Sequence, residues 1–143
     1  MINVLVVGAG GREHALSWKL SSSDKIDQVY TAPGNGGTCQ NIELSVNDIE
    51  GLAKFAQDKN CFTVVGPEDP LAAGIVDAFI EKGLPVFGPT QNAAQLESSK
   101  IWAKEFMKRN SIPTADFQIF DDAQSAKDFV KSYEKPVVIK ADG

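Results

Sequence analysis

Short apolar runs alternate, over the first 90 residues, with segments in which apolar residues recur every three or four positions. Each run ends in a turn rich in glycine or proline, and the four runs predict β-strands at residues 2–7, 28–32, 62–65 and 85–87. The first is apolar almost throughout, which is typical of a strand buried on both faces. The repeated order of strand, turn and helix predicts a parallel α/β sheet with right-handed crossovers and helices over both faces.

The segments between the strands predict three helices with one apolar face each. Asn47 and Glu50 predict a capping box at the start of the second helix, and Gly83 predicts the end of the third. The apolar faces are, in order, Ala15, Leu16 and Leu20; Ile49, Leu52, Ala53 and Ala56; and Leu71, Ile75, Val76, Phe79 and Ile80.

The pattern changes near residue 91, where helices are predicted at 92–97 and 98–109 and strands at 114–120 and 136–140. Asp121 predicts the cap of a further helix between those strands. We therefore expect one domain over residues 1–90, followed over 91–143 by linker helices and the incomplete start of a second domain. Trp18 and Trp102 are expected in the core or at an interface.

Composition and charge indicate a folded protein and limit its partners and its cellular compartment. The 143 residues are 43% apolar and 23% charged, which predicts a folded globule. The net charge is −5 and the basic residues are scattered, which argues against a nucleic-acid partner. Neither a signal peptide nor a membrane span is indicated. Cys39 and Cys61 have no zinc-site spacing and no disulfide framework, so a reducing cytoplasm is expected.

The turn after the first strand is the strongest candidate for an anion site. Ligands of open parallel sheets bind beyond the carboxyl ends of the strands, and glycines before a helix direct amide N–H groups at an anion. We expect a phosphate at Gly10, Gly11 and Arg12. The alternative is that these glycines only make a tight turn, which accounts for Gly8 but poorly for Arg12.

A dinucleotide site is the obvious competitor, because residues 8–13 nearly match the Gly-x-Gly-x-x-Gly fingerprint. Glu13 replaces the third glycine, where it would crowd the helix against the strand. The second strand also ends without the carboxylate that binds an adenosine ribose. NAD and FAD are therefore disfavoured.

Glu68 and Asp69 lie between two prolines in the turn after the third strand. Held stiffly over the ligand edge of the sheet, they could accept hydrogen bonds from sugar hydroxyls or from an amine. Asp69 could equally cap a helix that begins at Pro70. The two roles do not exclude each other.

Six ordered motifs together resemble one enzyme family. The motifs are Gly10–Ala15, Ala32–Asn35, Val65–Glu68, Phe87–Thr90 with Ala94–Lys100, Ile112–Ala115 and Ile139–Gly143. They are similar to the N-terminal third of the phosphoribosylamine–glycine ligases, or glycinamide ribonucleotide synthetases, of the ATP-grasp superfamily. The resemblance implies a Rossmann-like pre-ATP-grasp domain that binds phosphoribosylamine, followed by a truncated ATP-grasp domain.

The resemblance also implies a reaction and its ligands. ATP, with Mg²⁺ or Mn²⁺, phosphorylates the carboxylate of glycine, and the amine of 5-phosphoribosylamine attacks the acyl phosphate to give glycinamide ribonucleotide in cytoplasmic purine synthesis. Substrate-binding residues would be Gly10, Gly11, Arg12, Glu13, Gly34, Asn35, Glu68 and Asp69, and Lys100 and an exposed Lys140 would bind ATP. No catalytic residue or metal ligand is expected within this chain, so the fragment alone is expected to be inactive.

Other interpretations stay open at this point. Lys100 shares its helix with Lys104 and Lys108, so it could belong to a solvated stripe. The chain could come from another ATP-grasp enzyme, such as a biotin carboxylase-like protein, or be a non-catalytic nucleotide-phosphate module. In some organisms the ligase is fused to other purine-pathway domains.

Overall fold

The computed structural model describes residues 1–142, so Gly143, the last residue of the Ile139–Gly143 motif, lies outside the described residues. The described chain divides into two compact units, residues 1–95 and the segment that begins at Leu96. The first unit contains the sheet, and the second contains the last two helices.

The first unit is an α/β structure with a four-stranded parallel sheet, as predicted. The strands are β1 (Ile2–Gly8), β2 (Ile26–Pro33), β3 (Cys61–Val65) and β4 (Val86–Phe87), and their order across the sheet is β2-β1-β3-β4. β1 is central and is paired on both edges, with Val6 opposite Thr31 of β2 and Val64 of β3. The carboxyl ends of β2 and β3 therefore flank the carboxyl end of β1.

Two apolar clusters cover the two faces of the sheet, because successive side chains of β1 point to opposite sides. Val4 and Val6 pack with residues of α1 (Gly11–Ser21). Leu5 and Val7 pack with residues of α2 (Ile49–Asp58), α3 (Glu68–Ala72) and α4 (Ile75–Glu81). All four β1 side chains are at most 2% exposed, which confirms a strand buried on both faces.

The helices of the first unit differ from the sequence predictions in several places. α1 buries Glu13 and Ser17, whereas Ala15 and Trp18 are exposed, so neither belongs to the core. Ser17 compensates its burial with a hydrogen bond of 3.0 Å to buried Thr31. The side chain that caps α2 is Asp48, which accepts from the amide of Gly51, rather than Asn47.

The predicted third helix is two helices. Gly74, at φ +89°, separates α3 from α4, because a left-handed residue cannot continue a right-handed helix. Ile80, expected on the apolar face, is 59% exposed at the end of α4. Gly83, also at positive φ, follows the helix as expected.

From residue 91 the chain forms α5 (Gln91–Ser98), α6 (Lys100–Arg109) and α7 (Ala123–Ser132). Asp122, rather than Asp121, caps α7 by accepting from the amide of Ser125. The strands predicted at 114–120 and 136–140 are wrong, because neither segment pairs with another strand within the described residues. Extended backbone becomes a strand only through a hydrogen-bonded neighbour.

Candidate functional site

Three turns meet at the carboxyl end of β1. Gly34, after β2, donates its amide to the carbonyl of Gly8 at 3.1 Å, and Gly66, after β3, donates to the carbonyl of Val7 at 3.0 Å. These bonds continue the parallel ladder for one residue beyond the strands. The turns that the sequence marked as candidate ligand loops are therefore joined at one edge of the sheet.

Glu13 fills the space between these turns. Its side chain is only 4% exposed, and its Oε2 accepts from the amide of Gly10 at 2.7 Å. A Cβ atom at Gly8 or Gly10 would lie within 2.9 Å of the Glu13 side chain, and one at Gly66 would overlap its Oε1. Three glycines from two of these turns thus leave room for one carboxylate, which allows a glutamate where a dinucleotide fingerprint has glycine.

Arg12 lies between two carboxylates. Its Nε donates to Oε1 of Glu13 at 3.0 Å, and its Nη2 lies 3.4 Å from Oε2 of Glu68. The hydrogen bond to Glu13 is the main reason that the pKa of the guanidinium is raised. The Arg12 side chain remains 56% exposed, so the cation faces solvent at the ligand edge of the sheet.

Glu68 is the first residue of α3, and its side chain is 50% exposed. A hydrogen bond from its own backbone N–H, followed by the bond from Arg12, lowers the pKa of its carboxyl. The capping hypothesis for Asp69 is wrong, because α3 begins at Glu68 after Pro67 and has no side-chain cap. Asp69 instead lies exposed in the first turn.

Asn35, in the turn after β2, contacts the backbone of the turn after β1. Its Nδ2 donates to the carbonyls of Ala9 at 2.9 Å and Gly10 at 3.2 Å, and its Oδ1 accepts from the amide of Gly37 at 2.8 Å. Gly34, at φ +76°, makes the turn before it. The structure therefore brings Asn35 to the loop that carries Arg12 and engages its amide with the backbone.

The two glycines predicted to hold a phosphate differ in their surroundings. The amide of Gly10 already donates to Glu13. Gly11 is the first residue of α1, and the backbone N–H groups of a helix's first turn have no partner within the helix. A Cβ atom at Gly11 would meet nothing within 4 Å. The open part of this loop is therefore at Gly11 and Arg12.

The second unit brings together the two motifs that carry the predicted ATP lysines. Asp142 accepts from the amide of Ile101 at 3.1 Å and from the hydroxyl of Ser99 at 3.0 Å. Lys100 is the first residue of α6, beside these contacts, and Lys140 is exposed, as predicted. The hydrogen bond from Ile101 is the main cause that lowers the pKa of Asp142.

Two features of the candidate site were not visible in the sequence. The burial of Glu13 depends on glycines that are far apart in the chain, and its only signal was the departure from the dinucleotide fingerprint. The contact of Asp142 with the start of α6 joins residues 41 positions apart. Its signal was the presence of both segments among the family motifs.

Residues 1–142 contain two cysteines and one histidine as candidate soft metal ligands. No group of three or more His, Cys, Asp and Glu residues there could hold a metal ion. Cys39 and Cys61 are free thiols, and burial raises the pKa of Cys61 to about 11, so its thiol stays protonated at neutral pH. No helix in this part of the chain is long and apolar enough to cross a membrane.

Comparison with known structures supports the fold. The chain resembles the crystal structure of N5-carboxyaminoimidazole ribonucleotide synthetase from Thermotoga maritima with a TM-score of 0.66 and 15% sequence identity. The match covers 90% of this chain and 36% of that one. At this identity the similarity establishes a shared fold only.

Comparison of sequences identifies the family. Residues 2–97 match the phosphoribosylglycinamide synthetase N domain, and residues 98–143 match the ATP-grasp (A) domain of the same family. Phosphoribosylamine–glycine ligases from Ralstonia nicotianae and Neisseria meningitidis serogroup B are 58% and 55% identical over 99% of this chain. The chain spans about a third of their length, 35% and 34%. With both domain models matched in order, the chain belongs to the phosphoribosylglycinamide synthetase family.

Proposed function

We propose that this chain is part of a cytoplasmic ATP-dependent ligase that joins glycine to 5-phosphoribosylamine. In the proposed reaction the glycine carboxylate takes the terminal phosphoryl group of ATP, which leaves ADP. The amine of phosphoribosylamine then attacks the acyl carbon, and the amide forms as phosphate leaves. Relatives named phosphoribosylamine–glycine ligase support the assignment. The observation that carries it is the exposed Arg12, held at the carboxyl edge of the sheet.

The first unit is proposed to bind phosphoribosylamine. Arg12 and the amide of Gly11, at the start of α1, offer a charged donor and a helix N-terminus to the 5′-phosphate. Glu68, in contact with Arg12, and neighbouring Asp69 are both exposed carboxylates, which can accept hydrogen bonds, so both suit ribose hydroxyls or the amine. Gly10, Glu13, Gly34 and Asn35 shape this loop through backbone contacts rather than by facing solvent with free polar groups.

The second unit is proposed to contribute Lys100 and Lys140 to the phosphates of ATP, with Mg²⁺ or Mn²⁺ held by other parts of the ligase. The contact between Asp142 and the start of α6 supports a shared site for both lysine-bearing motifs. An exposed lysine contributes little to affinity by itself. We therefore expect this chain to bind ATP with a Kd above about 1 mM by calorimetry. Micromolar binding would contradict a site completed by other segments.

Substitution of Arg12 tests the sugar-phosphate site. Ribose 5-phosphate, which carries the same phosphate and ribose, is titrated into the chain and into Arg12→Ala while amide resonances are followed by NMR. Charge-assisted hydrogen bonds contribute roughly 1.5–3 kcal/mol, so affinity should fall by about tenfold or more.

The chain offers a matched control in Arg109, its only other arginine, which is exposed at the end of α6. Arg109→Ala removes the same charge from the second unit and should leave ribose 5-phosphate affinity unchanged. Equal affinity of the Arg12→Ala variant and the unsubstituted chain would restrict residues 8–12 to the role of a tight turn.

A further inference from the structure

The two carboxylates that contact Arg12 differ in burial and in distance. The side chain of Glu13 is 4% exposed and lies 3.0 Å from Nε, whereas that of Glu68 is 50% exposed and lies 3.4 Å from Nη2. Nε is the inner nitrogen of the guanidinium, and Nη2 is one of its two outer nitrogens. The two carboxylates therefore contact different nitrogens of the Arg12 guanidinium, and one contact can break while the other stays.

Glu13 has no room to leave Arg12. The Gly10 amide donates to its second oxygen, and Gly8, Gly10 and Gly66 enclose the side chain so tightly that a Cβ on any of them would collide with it. A carboxylate this deeply buried needs a compensating charge, because loss of its cationic partner would leave a buried, unpaired anion and destabilise the fold. Glu13 thus fixes Nε and turns the outer nitrogens toward solvent.

Glu68 can leave Arg12. Ion pairs between exposed side chains contribute little, because water solvates both partners when they separate. Arg12, Glu13 and Glu68 together carry a net charge of about −1 at neutral pH, which repels a phosphate while Glu68 is in place. A phosphate dianion that bonds to both outer nitrogens of the guanidinium competes with the Glu68 carboxylate for Nη2.

We propose that Glu13 is the positioning residue for Arg12 and that Glu68 is the carboxylate which an incoming phosphate displaces from the same guanidinium. The inference rests on the proposed sugar-phosphate function. It adds that phosphate binding releases Glu68 beside the ligand, where the carboxylate accepts from a hydroxyl or an ammonium group of the same molecule. Binding of the phosphate and orientation of the rest of the substrate are coupled through one arginine.

Substitution of the two glutamates by glutamine should have opposite effects on phosphate affinity. Glu13→Gln keeps the side-chain length but loses the charge that holds Nε, so ribose 5-phosphate affinity should fall about fivefold or more. Glu68→Gln removes the competing charge, so affinity for inorganic phosphate, which offers Glu68 no ribose hydroxyl and no amine, should rise by about two- to threefold. Glu50→Gln, at a carboxylate paired with Lys82 and 79% exposed, is the matched control and should change nothing.

A spectroscopic signature tests the positioning directly, without any ligand. The Nε–H of Arg12 should exchange slowly with water and resonate apart from that of exposed Arg109, because it donates to a buried carboxylate. Glu13→Gln should speed this exchange while Glu68→Gln leaves it slow. Measured on the unsubstituted chain, the signal remains informative even where Glu13→Gln fails to fold.

The outcomes separate this inference from the proposed function. A slow Arg12 Nε–H in a chain that binds no ribose 5-phosphate would contradict the sugar-phosphate assignment but leave the positioning of Arg12 by Glu13 intact. Fast exchange in the unsubstituted chain, or equal ribose 5-phosphate affinity of the Glu13→Gln variant, would overturn the positioning role. A fall in inorganic phosphate affinity on Glu68→Gln would overturn displacement and make Glu68 a direct support of phosphate binding.

Discussion

At the scale of single residues, the site depends on glycines that leave room for a carboxylate. The φ angle of Gly66 is not positive, so its backbone conformation does not require glycine. A side chain is excluded there because Glu13 occupies the adjoining space. Gly66→Ala should therefore destabilise the first unit by about 1–3 kcal/mol, the usual cost of forcing a methyl group into a packed region. Chemical unfolding followed by circular dichroism measures this difference.

Gly36 provides the control for that substitution. A Cβ atom there would meet nothing within 4 Å, and its φ is not positive. Gly36→Ala should be neutral or slightly stabilising, because alanine restricts the unfolded chain. Equal unfolding midpoints for the two variants would show that the space beside Glu13 adjusts without cost.

The residues of the site were only partly predictable from the sequence. The rule that ligand loops follow the carboxyl ends of parallel strands predicted that the turns bearing Arg12, Asn35 and Glu68 lie at one edge. It did not predict that Asn35 uses its side chain to hold the backbone of Ala9 and Gly10, or that Glu13 is buried. Those features follow from packing between distant turns, which linear spacing does not encode.

At the scale of elements, the start of α6 combines two contributions. Ser99 caps the helix by accepting from the amide of Trp102, and Asp142 accepts from the amide of Ile101. A carboxylate beside helix amides is favoured only while it is ionised. The lowered pKa of Asp142 reflects this preference.

The contact of Asp142 should consequently depend on pH. A depressed folded-state pKa means that the contribution is present above about pH 4, the ordinary aspartate value, and is lost as pH falls through the lower folded value. The amide resonance of Ile101 should titrate with a midpoint below that of an unstructured aspartate. The same resonance in Asp142→Asn should show no such step, and a midpoint above 4 would contradict the contact.

The elements bounded by glycine or proline turns were the most predictable from the sequence. The four strands of the sheet lie within about two residues of their predicted bounds, because a glycine or proline turn follows each apolar run. The segments 114–120 and 136–140 have the composition of strands, but neither is hydrogen-bonded to another strand in the described chain. A β-strand requires hydrogen bonds to a neighbouring strand, so composition alone predicted two strands that the described residues do not form.

At the scale of the whole molecule, the two units differ in how much apolar surface they bury. Both apolar clusters consist of residues from the first unit. Among residues 96–142, Ala103 is the only buried residue. Since burial of apolar area is the main source of stability, the first unit should be far more stable than the second.

Hydrogen exchange should show this difference between two helices of equal length. α2 and α7 are each 10 residues long and each is capped by an aspartate, but α2 buries Leu52, Ala53 and Ala56 whereas α7 buries no residue. A helix this short is marginal in water without tertiary packing. Amides of α7 should therefore exchange at least about 100-fold faster than those of α2, measured by mass spectrometry at neutral pH. Because length and capping are matched, equal protection of the two helices would mean that something other than apolar burial stabilises the second unit.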